Sequence, residues 1–433
     1  MNEVTVGLIG LAVVMVLFLT GIELGFAMAL IGFLGFSYIV SFKAGLNLLA
    51  KDIFDVFSSY GFTVIPLFVL MGQVAFNAGI AKRLYDTSYK FVGHIPGGLA
   101  MATVAGATAF KAICGSSPAT AATFACVAVP EMERYGYNKK LSTGVVASVG
   151  TLGILMPPSV TLIVFGIITE QSIGKLFLAG IIPGLMIASF FIVIIYVWCK
   201  LNPALGPRGE RSTWKARFRS LPEFMWITII FLLVIGGLMK GFFTPTEAGS
   251  VGTFTVLIYS VLRKDINFKG YIKSVSESLR TACMVLMLIA GSMVLGHFLA
   301  VTKIPMIAAD WVISLPLNRY LIMIFITLIY LIGGSFIDDL AFMVIATPIF
   351  YPCIQKLGFD PIWFAMIIAI TVMVGVVIPP VAINVFVVKI ITRVPFRVIY
   401  AGVYPFLLSL LFGAVLLFIF PQICTFLPYL LMR

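Results

Sequence analysis

Between residues 114 and 120 the chain reads Cys114, Gly115, Ser116, Ser117, Pro118, Ala119, Thr120, a polar turn broken by glycine and proline inside strongly apolar flanks. A second break follows at Pro157, Pro158 and Ser159. The chemistry such breaks offer is non-covalent. An unpartnered backbone amide or carbonyl in hydrocarbon costs several kcal/mol, so unwound backbone at membrane depth survives only where it is buried in protein or lines a cavity. There, half-helix N-termini present amides to anions, and free carbonyls with Ser or Thr hydroxyls present oxygens to a small cation. Gly334, Ser335 and Asp338, with Gly375, Pro379, Pro380 and Asn384, compose a second set of the same kind.

These groups suit a sodium ion in each cluster and an organic anion between them. The sodium candidates are Gly115, Ser116 and Gly153 in the first set and Gly334, Asp338 and Gly375 in the second. The anion candidates are Ser117, Thr120, Pro158, Ser159, Ser335, Pro380 and Asn384. The plain alternative for any lone Gly or Ser is close packing between helices. Three roles stay open for Asp338: holding the turn, capping the return helix or coordinating a cation. Glu23 and Glu247 stand where helices begin and read as structural carboxylates. Lys111, four residues before Gly115, either attracts anions or reaches for the interface. His94 and His297 are single and unpaired in sequence, so no metal site follows from them.

Positioning these residues is the task of a membrane protein. Hydrophobic residues make up 61% of the 433, charged residues only 11%, and the mean hydropathy is +1.12, far above a soluble domain. Apolar runs long enough for roughly 20-residue helices recur throughout, which favours helical spans over a barrel of alternating strands. The first span, without Lys or Arg in residues 1–10, reads as retained. Six scattered cysteines without a CxxC read as small buried hydrophobes, and the absence of GxxxxGK[ST] excludes a P-loop ATPase. The net charge of +12 reads as basic cytoplasmic loops, with no nucleic-acid partner.

Uncharged or nearly uncharged stretches cover residues 4–22, 24–42, 56–81, 96–130, 141–169 and 176–198. A basic linker, 200–222, precedes a second series at 223–239, 244–262, 281–302, 320–355, 361–388 and 398–432. Thr20, Glu23 and Gly25 recur as Thr244, Glu247 and Gly249 at an offset of 224. Gly72, Gly115 and Ser116 recur as Gly291, Gly334 and Ser335 at 219, and Gly153, Pro157 and Pro158 as Gly375, Pro379 and Pro380 at 222. This pattern predicts an internal duplication, with residues 1–199 as the first repeat and 223–433 as the second.

Pro118 to Pro130 offers only about 20 Å of helix, too short to cross, so residues 96–130 are expected to fold as a re-entrant hairpin, as are 320–352. Residues 141–169 and 361–388 are expected to cross as helices broken at their double prolines. The expected fold is an all-α polytopic membrane protein of two inverted repeats, each of about five crossings and one hairpin. Placing Lys and Arg by side puts twenty on one face and eight on the other, with Lys111 inside the hairpin. The positive-inside rule makes the richer face cytoplasmic and both termini periplasmic. Residues 43–56 and 80–95 read as interfacial helices or partner contacts.

At these residues the chain resembles the large membrane subunit of tripartite ATP-independent periplasmic (TRAP) transporters. The matching pieces are residues 115–123, 130–132, 150–159, 176–184, 245–248, 334–338 and 379–384, in order along nearly the whole chain. Ala382 departs from the pattern, which usually has Gly at that place. The resemblance implies a sodium-driven importer in a bacterial inner membrane, paired with a small four-helix membrane subunit and supplied by a soluble periplasmic binding protein. It also implies an elevator motion, in which hairpins and broken helices slide against a scaffold. The expected cargo is a small carboxylate or sulfonate, and no enzymatic activity is expected. The rivals are a self-sufficient sodium/dicarboxylate symporter and, remotely, an intramembrane aspartyl protease using Asp338 with Asp86.

Overall fold

The structure, a computed structural model, describes the whole chain except Met1, Leu19, Gly21, Leu315, Ile337, Asp338 and Arg433, and omits the side chains of Ala309, Val312, Ile313 and Asp339. The described residues form helices joined by short turns, without strands. Five helices open the chain: α1 (Glu3–Phe18), α2 (Leu24–Ile39), α3 (Phe42–Ser58), α4 (Val64–Asn77) and α5 (Ile80–Val92). Next come α6 (Gly98–Lys111), α7 (Ser117–Arg134), α8 (Lys139–Thr151), α9 (Val160–Ile168) and the long α10 (Ile173–Leu201). The linker carries α11 (Trp214–Ser220), followed by α12 (Pro222–Met239), α13 (Pro245–Leu262), α14 (Phe268–Val301) and α15 (Ile304–Ser314). The chain closes with α16 (Arg319–Phe336), α17 (Asp339–Lys356), α18 (Pro361–Gly375), α19 (Ile383–Thr392), α20 (Phe396–Ile419) and α21 (Gln422–Leu431). The order of α6–α10, two helices around a tip and two around a break before a long helix, occurs again in α16–α20.

Among the described residues six helical segments are long and apolar enough to cross a bilayer, including Ile173–Leu201, Phe268–Val301 and Phe396–Ile419. Large apolar side chains such as Val16, Leu232 and Leu408 stand exposed on the outer surface, as a lipid-facing protein requires. Lipid is as apolar as leucine, so burial alone does not press helices together, and glycines bring backbones close. Where α8 crosses α20, a Cβ on Gly144 would lie 2.6 Å from the Cα of Gly402. Where α2 crosses α14, a Cβ on Gly32 would lie 2.6 Å from the amide of Leu295.

The helices pack as two groups. In one, α2 and α13 lie against α14 and α4, with α1, α3 and α12 alongside. In the other, α6–α9 mesh with α16–α20, and the main core, which includes Phe110, Phe124, Phe165 and Phe364, extends into the first group through Phe68 of α4, Ala248 of α13 and Val285 of α14. A smaller core of Val14, Met28, Leu288, Phe298 and Ile345 joins α14 to α17.

Boundaries differ from the sequence reading in three places. The return arms run through their prolines: α7 is 18 residues and continues past Pro130 to Arg134, and α17 contains Pro348 and Pro352. Proline removes only its own donor, and the surrounding residues keep their ladder. The apolar stretch 398–432 divides at Pro421 into α20 and α21. Beyond the stretch 281–302, α14 extends toward the basic side through Arg280, Lys273 and Lys269, with Asn267 capping it by accepting the Gly270 amide at 2.8 Å.

Both histidines have partners, against expectation. His297 Nδ1 lies 2.8 Å from the buried Asp52 of α3, and His94 Nδ1 lies 3.4 Å from the Arg217 guanidinium. Cys126 and Cys283 are exposed and the other four cysteines are buried. Among the described residues no cluster of His, Cys, Asp and Glu suits a metal ion.

Candidate functional site

The first tip is built by caps. Ser116 has extended backbone and its Oγ accepts the Ala119 amide at 3.3 Å, while Pro118 sits in the first turn of α7, where its missing donor is not needed. At the neighbouring break Ser159 caps α9, accepting the Leu162 amide at 3.4 Å and donating to the Ile154 carbonyl at 2.7 Å. Gly115 faces the Pro158 carbonyl so closely that an added Cβ would lie 2.7 Å from that oxygen. Tip and break therefore form one unit.

Lys111 completes it. Its side chain is fully buried, and Nζ donates to the Ser116 carbonyl at 2.7 Å. A Cβ on Gly153 would run into that Nζ and come within 2.8 Å of Cε. The stem thus lies over Gly153, and neither role considered for it in sequence, attracting anions from outside or reaching the interface, describes this placement. Of the three residues expected to hold sodium here, Ser116 bonds the lysine amine and Gly153 packs against it.

The second break is arranged differently. Gly334 and Ser335 belong to the last turn of α16, and Asp338 lies outside the described residues. A Cβ on Gly375, the last residue of α18, would lie 3.0 Å from the Gly334 carbonyl oxygen. Ser335 donates its hydroxyl to Leu331 at 2.6 Å and its carbonyl accepts the Val381 amide at 3.1 Å. Pro380 is exposed. Ala382, with φ 41° and ψ 58°, precedes α19 in the left-handed region without a side-chain cap. The Pro157–Pro158 and Pro379–Pro380 bonds are both cis.

Asn384 crosses between the halves. Fully buried, it donates Nδ2 to Ser117 Oγ at 3.1 Å and to the Ala147 carbonyl at 3.2 Å, and Ser117 Oγ lies 3.2 Å from its Oδ1. It joins the starts of α7 and α19 to α8. Thr120 is buried and donates to the Ser116 carbonyl at 3.0 Å, which commits it to its own helix.

Between the two helix groups, beside the first tip, lies a cavity of about 290 Å³. Ser116, Ser117 and Pro118 bring the N-terminus of α7 to it, and Val160 and Thr161 bring that of α9. The opposite wall comes from Gly25 of α2, Val69 of α4 and Thr281, Met284 and Leu288 of α14. An adjoining cavity of similar size adds Gln73 and Cys114. The N-termini of α7 and α9 thus both border this space, whose opposite wall is mainly apolar. Among the other anion candidates, Thr120, Pro158, Ser159, Ser335, Pro380 and Asn384 are absent from the walls of both cavities.

Sequence reasoning missed the far wall. Thr281, Met284 and Leu288 follow helical spacing on an apolar helix, where nothing local marks one face as cavity-lining. Glu23 also lines the cavity and makes no capping bond, whereas Glu247 forms a capping box with Thr244, its carboxylate accepting the Thr244 amide at 2.8 Å. Asp86, the second aspartate of the protease alternative, is exposed on α5.

Residues 11–423 match the family model described as the tripartite ATP-independent periplasmic transporter, DctM component. The chain is 34% identical over 383 residues to a C4-dicarboxylate TRAP transporter large permease protein of Pseudomonas aeruginosa, covering 88% of this chain and 89% of that one. It is 32% identical over 343 residues to the isethionate TRAP transporter permease protein DctMQ of Oleidesulfovibrio alaskensis, covering 79% of this chain and 54% of that longer protein. The fold also resembles the crystal structure of the Alcanivorax borkumensis YdaH transporter, with a TM-score of 0.59 at 14% identity over 88% of this chain and 89% of that one. A helical membrane protein whose relatives along almost its whole length are transporter permeases, this chain belongs to the DctM-component family of TRAP transporters.

Proposed function

We propose that the chain is the large permease subunit of a sodium-coupled importer for a small organic anion, a carboxylate or sulfonate, delivered by a periplasmic binding protein. The observation that carries this reading is the cavity between the two helix groups, with the N-termini of α7 and α9 directed into it. A carboxylate or sulfonate accepts hydrogen bonds from such amides, and C4-dicarboxylate and isethionate are the cargoes named for two relatives. Without a P-loop, accumulation draws on an ion gradient. Sodium is assigned to the second break, around Gly334, Asp338 and Gly375. A small membrane subunit completes the permease, as a second part within one chain would in the longer DctMQ relative.

The inverted-repeat plan supplies the movement. The group built on α6–α9 and α16–α20 slides as a body against the group around α2, α4, α13 and α14, which carries the cavity from one face of the inner membrane to the other. The excess of Lys and Arg on one side supports a cytoplasmic α11 and periplasmic termini.

The test is uptake of radiolabelled C4-dicarboxylate and isethionate into proteoliposomes holding both membrane subunits, with the binding protein outside. Accumulation driven by an inward sodium gradient, and lost when potassium replaces sodium, is the expected result. Equal accumulation without sodium overturns the coupling, and full uptake by this chain alone favours the self-sufficient symporter.

A further inference from the structure

We infer that the Lys111 ammonium is a built-in cation that takes the place of one sodium ion at the first break, so that coupling sodium is left to the second. This rests on the sodium-coupled reading above.

Three observations carry it. The first is position: Nζ lies over Gly153 and donates at 2.7 Å to the Ser116 carbonyl, which also accepts the Thr120 amide and hydroxyl, among the residues read from sequence as a cation site. The second is field. Lys111 is in the last turn of α6 and Gly153 follows the end of α8, so the amine stands near two negative helix ends, and it bonds the carbonyl of Ser116, the N-cap of α7, whose positive end faces the cavity together with that of α9. A cation there and an anion on the cavity side are mutually stabilising, which is the electrostatic task of a coupling ion. The third is asymmetry. The offset of 219 that relates Gly115 to Gly334 takes Lys111 to Tyr330, a buried residue whose hydroxyl lies 3.0 Å from Thr347 Oγ1 in α17. The duplicated plan therefore carries a fixed charge in one half and an uncharged ring at the related place in the other.

An ammonium is suited to this exchange. It is compact, monovalent and a donor to oxygens, so it can satisfy carbonyls that would otherwise coordinate a metal ion. Its four-carbon stem lets the charge sit at the break while the backbone attachment stays in α6. A tethered cation travels with the moving body in both directions, so it neutralises the anion without being released.

The experiment compares wild type, Lys111→Ser and Lys111→Met in the complex with the small subunit and the binding protein. In vesicles clamped at zero potential with a tenfold sodium gradient, each coupled sodium raises the steady-state accumulation ratio about tenfold. Lys111→Ser, which opens the space and removes the charge, is expected to accumulate about tenfold more than wild type at steady state. Lys111→Met, which fills the space without charge, is expected to lose uptake. Where Lys111→Ser does not transport, sodium-dependent thermal stabilisation of the purified complex decides, because the slope of stability against the logarithm of sodium concentration counts the ions bound. A slope steeper by one ion in Lys111→Ser supports the inference. Equal, non-zero slopes overturn it and leave sodium coupling standing. A slope gained only by the variant keeps the lysine assignment and removes wild-type coupling, and zero slopes in both remove both.

Discussion

The bridge from Asn384 to Ser117 makes the strongest quantitative demand on the structure. Asn384 is fully buried and spends its amide on Ser117 Oγ at 3.1 Å and the Ala147 carbonyl at 3.2 Å. In Asn384→Ala the Ala147 carbonyl keeps its own helical bond inside α8, but the Ser117 hydroxyl loses its side-chain partner. A buried polar group left alone costs about 1–3 kcal/mol, so the single variant is expected to lose an amount of that order. Ser117→Ala leaves Asn384 with Ala147 and is expected to cost less. The coupling between the two side chains is the diagnostic term. Side-chain hydrogen bonds between membrane helices average about 0.6 kcal/mol and reach about 1.7, so Asn384→Ala/Ser117→Ala is expected to be more stable than the sum of the singles by that amount. Equilibrium unfolding of the four proteins in mixed micelles measures it. Strict additivity would refute the bridge, because two residues 267 positions apart couple only through contact.

Three further outcomes are expected. Gly375→Val directs a branched side chain at the Gly334 carbonyl, 3.0 Å from the first added carbon, and should abolish sodium-dependent uptake in vesicles; normal uptake rejects the second break as an ion site. Ala382→Gly removes a Cβ from a left-handed backbone, which costs about 1–2 kcal/mol for an L residue, so the variant should unfold at higher denaturant; unchanged stability would mean that the φ of 41° is not held. Glu223→Ala strips the carboxylate shared by Arg83 at 3.1 Å and Arg263 at 2.8 Å, a partly exposed network tying α5 to α12 and α13, and should cost about 1–2 kcal/mol in the same unfolding assay, between the exposed and buried limits; a change within about 0.3 kcal/mol would mean that the network does not hold α5 to α12.

What could be read from sequence was short-range. The double prolines were identifiable because each acts on its own turn, whereas Ser116 and Ser159, read as sodium and anion ligands, cap α7 and α9 by accepting an amide three residues on. The remainder depends on contacts between distant segments. Nothing within a few residues of Asn384 indicates Ser117 or Ala147, and nothing near Met284 or Leu288 indicates a cavity rather than lipid. Thr120 and Ser335 failed in the opposite way. Hydroxyls flanking a break look available for cargo, yet each bonds a carbonyl four residues earlier, the cheapest way to bury a hydroxyl in a helix.

Lys111 shows why charge inside a hydrocarbon segment has to be placed before it is interpreted. On α6 alone it reads as an isolated cost, and an unpaired ammonium in an apolar interior is among the most expensive groups to bury. The chain lowers that cost by ending two helices beside it and by directing the Ser116 carbonyl at its amine. The same break that exposes amides toward the cavity necessarily exposes carbonyls on its other side, because unwinding a helix frees both ends. The proposed anion site and the proposed cation site thus share one interruption. Under the proposed reading the cation of the first half is covalently attached, and the sodium drive enters through the half where Tyr330 stands in its place.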